Sequence, residues 1–198
     1  MRLFVALEIP QEVRNNLAAV EKEWRFNLQT QPVAAKMRWV CPENLHVTLK
    51  FIGEVSNDKI DTIAVALRTV HTGDPLEINL RGLGCFSGRT GGVFWAAIDL
   101  CPALVRFAAD IDHCLRPLEI PPENREFRAH VTLARFKDHQ LSPKISKLLS
   151  GNTGSGGLDT QRDFGSMRTG EFHLMESKTN SAGPVYTKLQ SFHSTSAA

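Results

Sequence analysis

Two copies of one tetrapeptide carry the residues best suited to chemistry. His46-Val47-Thr48-Leu49 lies in the first half of the chain and His130-Val131-Thr132-Leu133 in the second. Along an extended strand, alternate side chains face opposite ways, so each His and Thr share one face and each Val and Leu the other. The four apolar side chains would pack under helices. Two imidazoles and two hydroxyls would then meet on the open side of a sheet. That set suits phosphoryl chemistry. A neutral imidazole takes a proton from water while a protonated one gives a proton to a departing sugar oxygen, and an ordinary histidine pKa near 6.5 lets both forms coexist at neutral pH. Threonine hydroxyls donate hydrogen bonds to the non-bridging oxygens as charge builds. A strained five-membered cyclic phosphate can be opened by such acid–base work without a cation. Two histidines with no carboxylate at helical or strand spacing are too few for a metal site, so neither metal nor cofactor is expected. The chain has no Gly-x-Ser-x-Gly elbow and no cysteine beside either motif, which leaves nucleophilic Ser or Cys catalysis unsupported.

Each motif must be held by its surroundings, and these repeat too. Residues 3–7 form a short apolar run, read as a buried strand. Pro10 suits a first helical position, and Val13, Leu17, Val20, Trp24 and Leu28 follow on one helical face. Residues 38–52 change towards a period of two. Ser56 and Asn57 can cap a helix with Ile60, Ile63, Ala64, Leu67 and Val70 on one side, and residues 76–80 alternate as a strand. Residues 82–92, with five glycines and Arg89, read as a loop. The second half then repeats the order: a strand from Val93 to Leu100, a helix opened by Pro102 and ended by Pro117, Pro121 and Pro122, a strand over 127–136, a helix from Ser142-Pro143, and strands near 171–176 and 185–192. Residues 151–157 read as a loop and the last five as a frayed end. Leu3 and Val93 are 90 positions apart, Pro10 and Pro102 92, His46 and His130 84, and Ser56 and Ser142 86. Near-constant offsets indicate two diverged copies of one unit, approximately 1–84 and 92–193, within a single domain spanning 1–198 whose lobes exchange terminal strands. The expected fold is α+β and bilobal. Duplicated antiparallel sheets related by a pseudo-two-fold carry outer helices around a central cleft on which both motifs converge.

Bulk properties narrow the partners. A chain of 198 residues can bury a sizeable core, and 42% hydrophobic content suits a globular protein. A net charge of +2 is small for a protein that grips long nucleic acid, so a short footprint such as a strand end is expected. Cys41, Cys85, Cys101 and Cys114 form no C-x-x-C pair and read as buried reduced thiols. No segment approaches the roughly 20 apolar residues of a membrane span, and the first residues do not form a signal sequence. A cytoplasmic monomer without membrane contact is expected. Lys50 and Arg128 fall in phase with the cleft face and are candidates for holding phosphate. Arg135 is out of phase and reaches the cleft only if the strand bulges. Trp39, Phe51 and Tyr186 are candidates for stacking a terminal base, with a core role expected for the first two.

These motifs and their flanks resemble the 2H phosphoesterase superfamily, and within it the RNA 2′,3′-cyclic phosphodiesterases once called 2′–5′ RNA ligases. The resemblance runs from Arg2-Leu3-Phe4-Val5-Ala6-Leu7 through Arg38-Trp39-Val40, Pro42-Glu43-Asn44-Leu45-His46-Val47-Thr48-Leu49-Lys50-Phe51-Ile52-Gly53-Glu54 and Arg125-Glu126-Phe127-Arg128-Ala129-His130-Val131-Thr132-Leu133-Ala134-Arg135 to Glu176-Ser177 and Gly183-Pro184-Val185-Tyr186. It implies a V-shaped cleft and metal-independent hydrolysis of RNA 2′,3′-cyclic phosphate ends, tRNA fragments among them, to 2′-phosphates. His46 would be the proton donor and His130 the acceptor. Thr48 and Thr132 would hold phosphate, with Lys50, Arg128, Arg135 and Tyr186 as substrate-binding candidates. Some members also join RNA ends through a 2′–5′ linkage. The family commonly has proline before the second motif, where this chain has Ala129. The residues alone leave two other classes open: a module that binds RNA ends without turnover, and an enzyme of the same superfamily acting on a small cyclic nucleotide metabolite.

Overall fold

In a computed structural model of the chain, the described residues are 1–27, 36–71, 73–88, 91–138, 141–150, 159–180 and 183–193. Strand β1 (Arg2–Glu8) leads through Pro10 into helix α1 (Gln11–Asn27). Val13, Leu17, Val20 and Trp24 of α1 are buried; Leu28 lies outside the described residues. Then come β2 (Arg38–Trp39), a 3-10 turn (Pro42–Asn44), β3 (His46–Glu54), a second 3-10 turn (Asn57–Lys59), α2 (Ile60–Leu67) and β4 (Leu76–Gly88). The second half runs β5 (Gly91–Ile98), α3 (Pro102–Leu115), a 3-10 turn (Arg116–Leu118), β6 (His130–Phe136), α4 (Leu141–Ser150), β7 (Asp163–Thr169), β8 (Glu171–Asn180) and β9 (Gly183–His193).

The strands form one antiparallel sheet in the order β7-β4-β5-β6-β3-β1-β8-β9, with β2 added beside β6. Its two halves meet at a single pair, Val47 of β3 against Val131 of β6. Each half takes strands from both repeats. The half around β3 holds β1, β8 and β9, and the half around β6 holds β4, β5 and β7. The helices cross over as well: α1 follows β1 but packs on β6 and β7, and α3 follows β5 but packs on β3. Neither repeat could therefore bury its own apolar surface alone. The core beneath the sheet includes Leu7, Val47, Ile63, Leu80, Phe94, Ile111, Val131 and Phe164, each at most 1% exposed. Full burial of such a side chain is worth about 1.5–3 kcal/mol relative to exposure.

Several features differ from the sequence reading, among them the start of β6, which lies at His130 and not at Phe127. Most of the described part of 82–92 is strand, not loop: β4 continues to Gly88 and β5 starts at Gly91. The glycines serve close approach. A Cβ on Gly84 would lie 2.2 Å from the Trp95 ring, and one on Gly91, where φ is +140°, would lie 2.0 Å from the Phe136 carbonyl oxygen. Arg89 lies outside the described residues, as do 151–157 and the last five positions. The cysteines are free but not buried: Cys41 is exposed, with its thiol donating to Glu43 Oε2 at 2.7 Å, and the other three are half-buried. Strand β7 has few apolar residues, and its pairing with β4 gives it a place that periodicity did not reveal. No helix among the described residues is long and apolar enough to cross a membrane.

Candidate active site

The pair Val47–Val131 fixes the geometry of everything above it. Both valines are fully buried beneath the sheet. In an antiparallel register, one step to either side sets His46 opposite Thr132 and Thr48 opposite His130, on the other face. The two histidines are then diagonal neighbours. Such positions are separated by about 7–8 Å across a ladder, which leaves room for one phosphate between the rings. All four side chains are half-buried. The pseudo-two-fold passes through the valine pair and relates each His-x-Thr to the other.

The two imidazoles are anchored alike. His46 Nδ1 lies 2.7 Å from the Asn44 carbonyl oxygen, and His130 Nδ1 lies 2.7 Å from that of Arg128. A carbonyl only accepts, so each Nδ1 carries the hydrogen and each Nε2 is the nitrogen left for chemistry. Aromatic side chains brace both rings. Phe4 and Tyr186 stand 4.9 and 5.0 Å from His46, and Phe86 and Trp95 stand 5.2 and 6.4 Å from His130. Burial pushes the His46 pKa below the ordinary histidine value. The Asn44 carbonyl opposes that shift, and the charges of Arg135 and His130 add to it. Burial also lowers His130, against the Arg128 carbonyl and together with Arg135. Tyr186 is pushed up by burial, so its hydroxyl stays protonated.

Beyond each threonine the strand bulges at the same place in both repeats. Thr48 pairs with Ala6 but Lys50 with Val5, which leaves Leu49 as the extra residue. Thr132 pairs with Trp95 but Ala134 with Phe94, which leaves Leu133 extra. The bulge reverses the alternation. Arg135 thereby joins the cleft face, and its charge is felt at His46, His130 and Tyr186. Its two-fold mate is Phe51, which is 53% exposed beside Phe4 and has no core role. Trp39, by contrast, packs edge-on against Trp24 and Phe94.

The same bulge removes Lys50 from the cleft. Its ammonium is buried on the helix side and donates to Asp112 Oδ1 and to the Pro121 carbonyl, each at 2.6 Å. Strict alternation placed it with Thr48; one extra residue turned it over. The Arg128 side chain is exposed and pairs with Glu126 at 3.4 Å, and it is the backbone carbonyl of Arg128 that touches His130. Sequence reasoning missed Phe4 and Trp95, which sit inside apolar runs where nothing distinguishes a cleft-facing ring from a core one, and Phe86, which lies in the glycine-rich stretch read as a loop. It also missed His173, buried beside Ser191 and 3.6 Å from Glu8. The register Thr48–Ala6–His173 puts this third histidine on the cleft-facing row, two strands from β3. Among the described residues no group of three or more His, Cys, Asp or Glu side chains is arranged to hold a metal ion.

The family model described as LigT like phosphoesterase matches residues 7–95 and again residues 99–186. The chain belongs to the LigT-like phosphoesterases. It is 29% identical over 194 residues to the RNA 2′,3′-cyclic phosphodiesterase of Methanothermobacter thermautotrophicus, covering 97% of this chain and 98% of that protein. The enzyme of the same name from Thermus thermophilus is 30% identical, with 97% of this chain and 89% of that one covered. Among solved structures, the protein TT0787 of Thermus thermophilus superposes with a TM-score of 0.73 at 27% identity over 98% of both chains. Escherichia coli LigT complexed with 3′-AMP shares the LigT-like fold, with a TM-score of 0.72 at 23% identity over 97% of each chain.

Proposed function

We propose that this LigT-like phosphoesterase is an RNA 2′,3′-cyclic phosphodiesterase that leaves a 2′-phosphate, with His46 as acid and His130 as base. The carrying observation is the diagonal pair of Nδ1-anchored histidines, each across the ladder from the other repeat's threonine. In-line displacement at phosphorus needs an acid and a base on opposite sides of one phosphate, and a two-fold through Val47–Val131 supplies that arrangement. Water attacks phosphorus and its proton passes to Nε2 of His130. The P–O3′ bond breaks, O3′ takes the proton from Nε2 of His46, and the phosphate remains on O2′. Thr48, Thr132 and Arg135 hold the non-bridging oxygens, and Tyr186 borders the nucleoside. A 5′-hydroxyl in place of water would give a 2′–5′ linkage by the same steps. We assign the substrate as RNA ends in the cytoplasm, tRNA fragments among them, and the working form as a monomer.

The test is hydrolysis of a 2′,3′-cyclic dinucleotide, with the product phosphate located. His46→Ala and His130→Ala should each abolish turnover while the fold persists, and a chelator should leave the rate unchanged. Full activity in either variant would remove the mechanism. Tight binding of cyclic-ended RNA without product would instead make the cleft a binding site, and faster turnover of a cyclic mononucleotide than of short RNA would move the substrate to small metabolites.

A further inference from the structure

Lys50 marks a place where the repeats differ in character. In β6 the bulge turns Ala134 into the core; in β3 the same position carries a lysine that is 5% exposed. Besides accepting from Lys50, Asp112 Oδ1 accepts from the Glu123 N–H at 3.0 Å, and Oδ2 meets Arg116 at 3.3 Å. This knot joins three segments: the strand of the first motif, helix α3, and the stretch 121–129 that leads into His130.

That stretch contains no helix or strand. Ile120 and Ala129 are buried at its ends, and Phe127 packs on the core. Among the described residues no backbone–backbone hydrogen bond ties 121–129 to the rest of the protein. Among the described residues, its hydrogen bonds to the β3 strand and helix α3 run from the Pro121 carbonyl and the Glu123 N–H, and both end in the knot. Near its end lies Arg128, whose carbonyl fixes His130 Nδ1. The counterpart for His46 is built differently. Asn44 closes its own 3-10 turn by donating its N–H to the Cys41 carbonyl at 2.8 Å. One histidine is thus aimed by a locally closed turn, and the other by an open stretch held from outside.

We propose that Lys50 and Asp112 are a positioning pair for His130: by holding the stretch 121–129 they keep the Arg128 carbonyl on Nδ1 and so aim Nε2 into the cleft. This rests on the reading of His130 as a working group of the cleft. The first motif's strand, through Lys50, then sets the geometry of the second motif's histidine. Stability alone does not account for the pair, because a buried ion pair exchanged for apolar residues of similar volume is often neutral or stabilising.

The experiment removes both charges together in Lys50→Met/Asp112→Leu, since Lys50→Met alone would leave the Glu123 N–H still tied to Asp112, which keeps Arg116 as a partner. Imidazole nitrogen NMR on the full chain reads the tautomers, with His46 and His130 assigned from single substitutions. The wild type should show the Nδ1–H form at both. In the double variant His130 should become a mixture with the Nε2–H form while His46 stays unchanged. The kcat on a cyclic dinucleotide should fall roughly 10- to 100-fold, the scale set by small misplacements of a reacting group, with KM within about twofold. A folded double variant with the wild-type tautomer at His130 would overturn the proposal, whatever its activity. If the wild type fails to turn over the substrate, the functional reading fails, and the tautomer comparison still decides the positioning role. Should the double variant not fold, Asp112→Asn keeps an acceptor oxygen but no charge. It should show a smaller shift in the same direction, and an unchanged His130 there would count against the pair equally.

Discussion

Removing the guanidinium of Arg135 as Arg135→Gln tests the electrostatics of the cleft and the bulge that delivers them. The bulge at Leu133 turns Arg135 onto the face of His130 and Thr132, where its charge bears on both imidazoles. Two threonine hydroxyls are neutral donors. Arg135 is the cationic side chain in phase with them on β6, and in the proposed mechanism it takes the charge that grows on the non-bridging oxygens. A hydrogen bond to a charged group is worth about 1.5–3 kcal/mol. At about 1.4 kcal/mol per tenfold in rate, its loss should lower kcat/KM by roughly 10- to 150-fold. The pH dependence carries a sign as well. Arg135 lowers both histidine pKa values, so removing it raises both, and both limbs of the kcat/KM profile should move to higher pH. The assay is hydrolysis of a 2′,3′-cyclic nucleotide from about pH 5 to about pH 9. A loss smaller than about threefold, or limbs that move to lower pH, would refute the placement of Arg135 over the phosphate.

Acid should destabilise the fold through histidines that folding partly or wholly buries. Burial holds His46, His130 and His173 below the ordinary value near 6.5. Between that value and the folded ones the unfolded chain binds more protons, so stability is complete above about pH 6.5 and is lost as the pH falls through the folded values. A melting temperature that holds steady or rises from about pH 7.5 to about pH 5.5 would contradict this. Gly84→Ala sets a methyl where the Trp95 ring lies, so that ring, 6.4 Å from His130, must shift. Overpacking costs about 1–3 kcal/mol, and both urea midpoint and kcat should fall; wild-type values for both would show that the ring yields freely. Phe51→Ala should raise KM for a cyclic dinucleotide with little change in kcat, because an aromatic platform is worth about 1–3 kcal/mol per stacked base. An unchanged KM would exclude Phe51 from base binding.

What the sequence made legible was local and periodic. Strand alternation placed His46 with Thr48 and His130 with Thr132, and the constant offsets pointed to a repeat. Both rest on short-range geometry that a chain writes into its pattern. Alternation fails where the backbone inserts one residue, and nothing in Leu49 or Leu133 announces a bulge. The two matching insertions therefore had opposite consequences, at Lys50 in β3 and at Arg135 in β6. The exchange of strands and helices between the halves was harder still, because α1 reads the same whichever sheet it covers. The glycines at 84, 91 and 92 have the composition of a loop, yet they are needed for contacts with Trp95, Phe136 and Phe86 that exist only once β4, β5 and β6 are side by side.

The near-symmetry of the cleft also bears on which histidine gives the proton. Both rings are anchored through Nδ1 to the carbonyl two residues back, so the anchor makes no distinction between them. In the free protein both lean towards the neutral form, and a charge on His130 lowers His46 further. Two cations are therefore disfavoured together. A phosphate anion arriving between the rings favours protonation of either, so in the proposed mechanism the bound state holds one shared proton, with one imidazolium and one free Nε2. That is the state acid–base catalysis needs, reached without a carboxylate partner. The order is then decided by the ester oxygen that lies against each ring, and so by how the nucleoside sits. The repeats are unequal where that matters. Arg135 faces Phe51 across the two-fold, and Trp95, which pairs with Thr132, fills the place that Ala6 leaves small beside Thr48. In the proposed mechanism, a charge and a wall on one side, with a ring and a small side chain on the other, give the substrate one orientation, and that orientation makes one of two equivalently anchored histidines the acid.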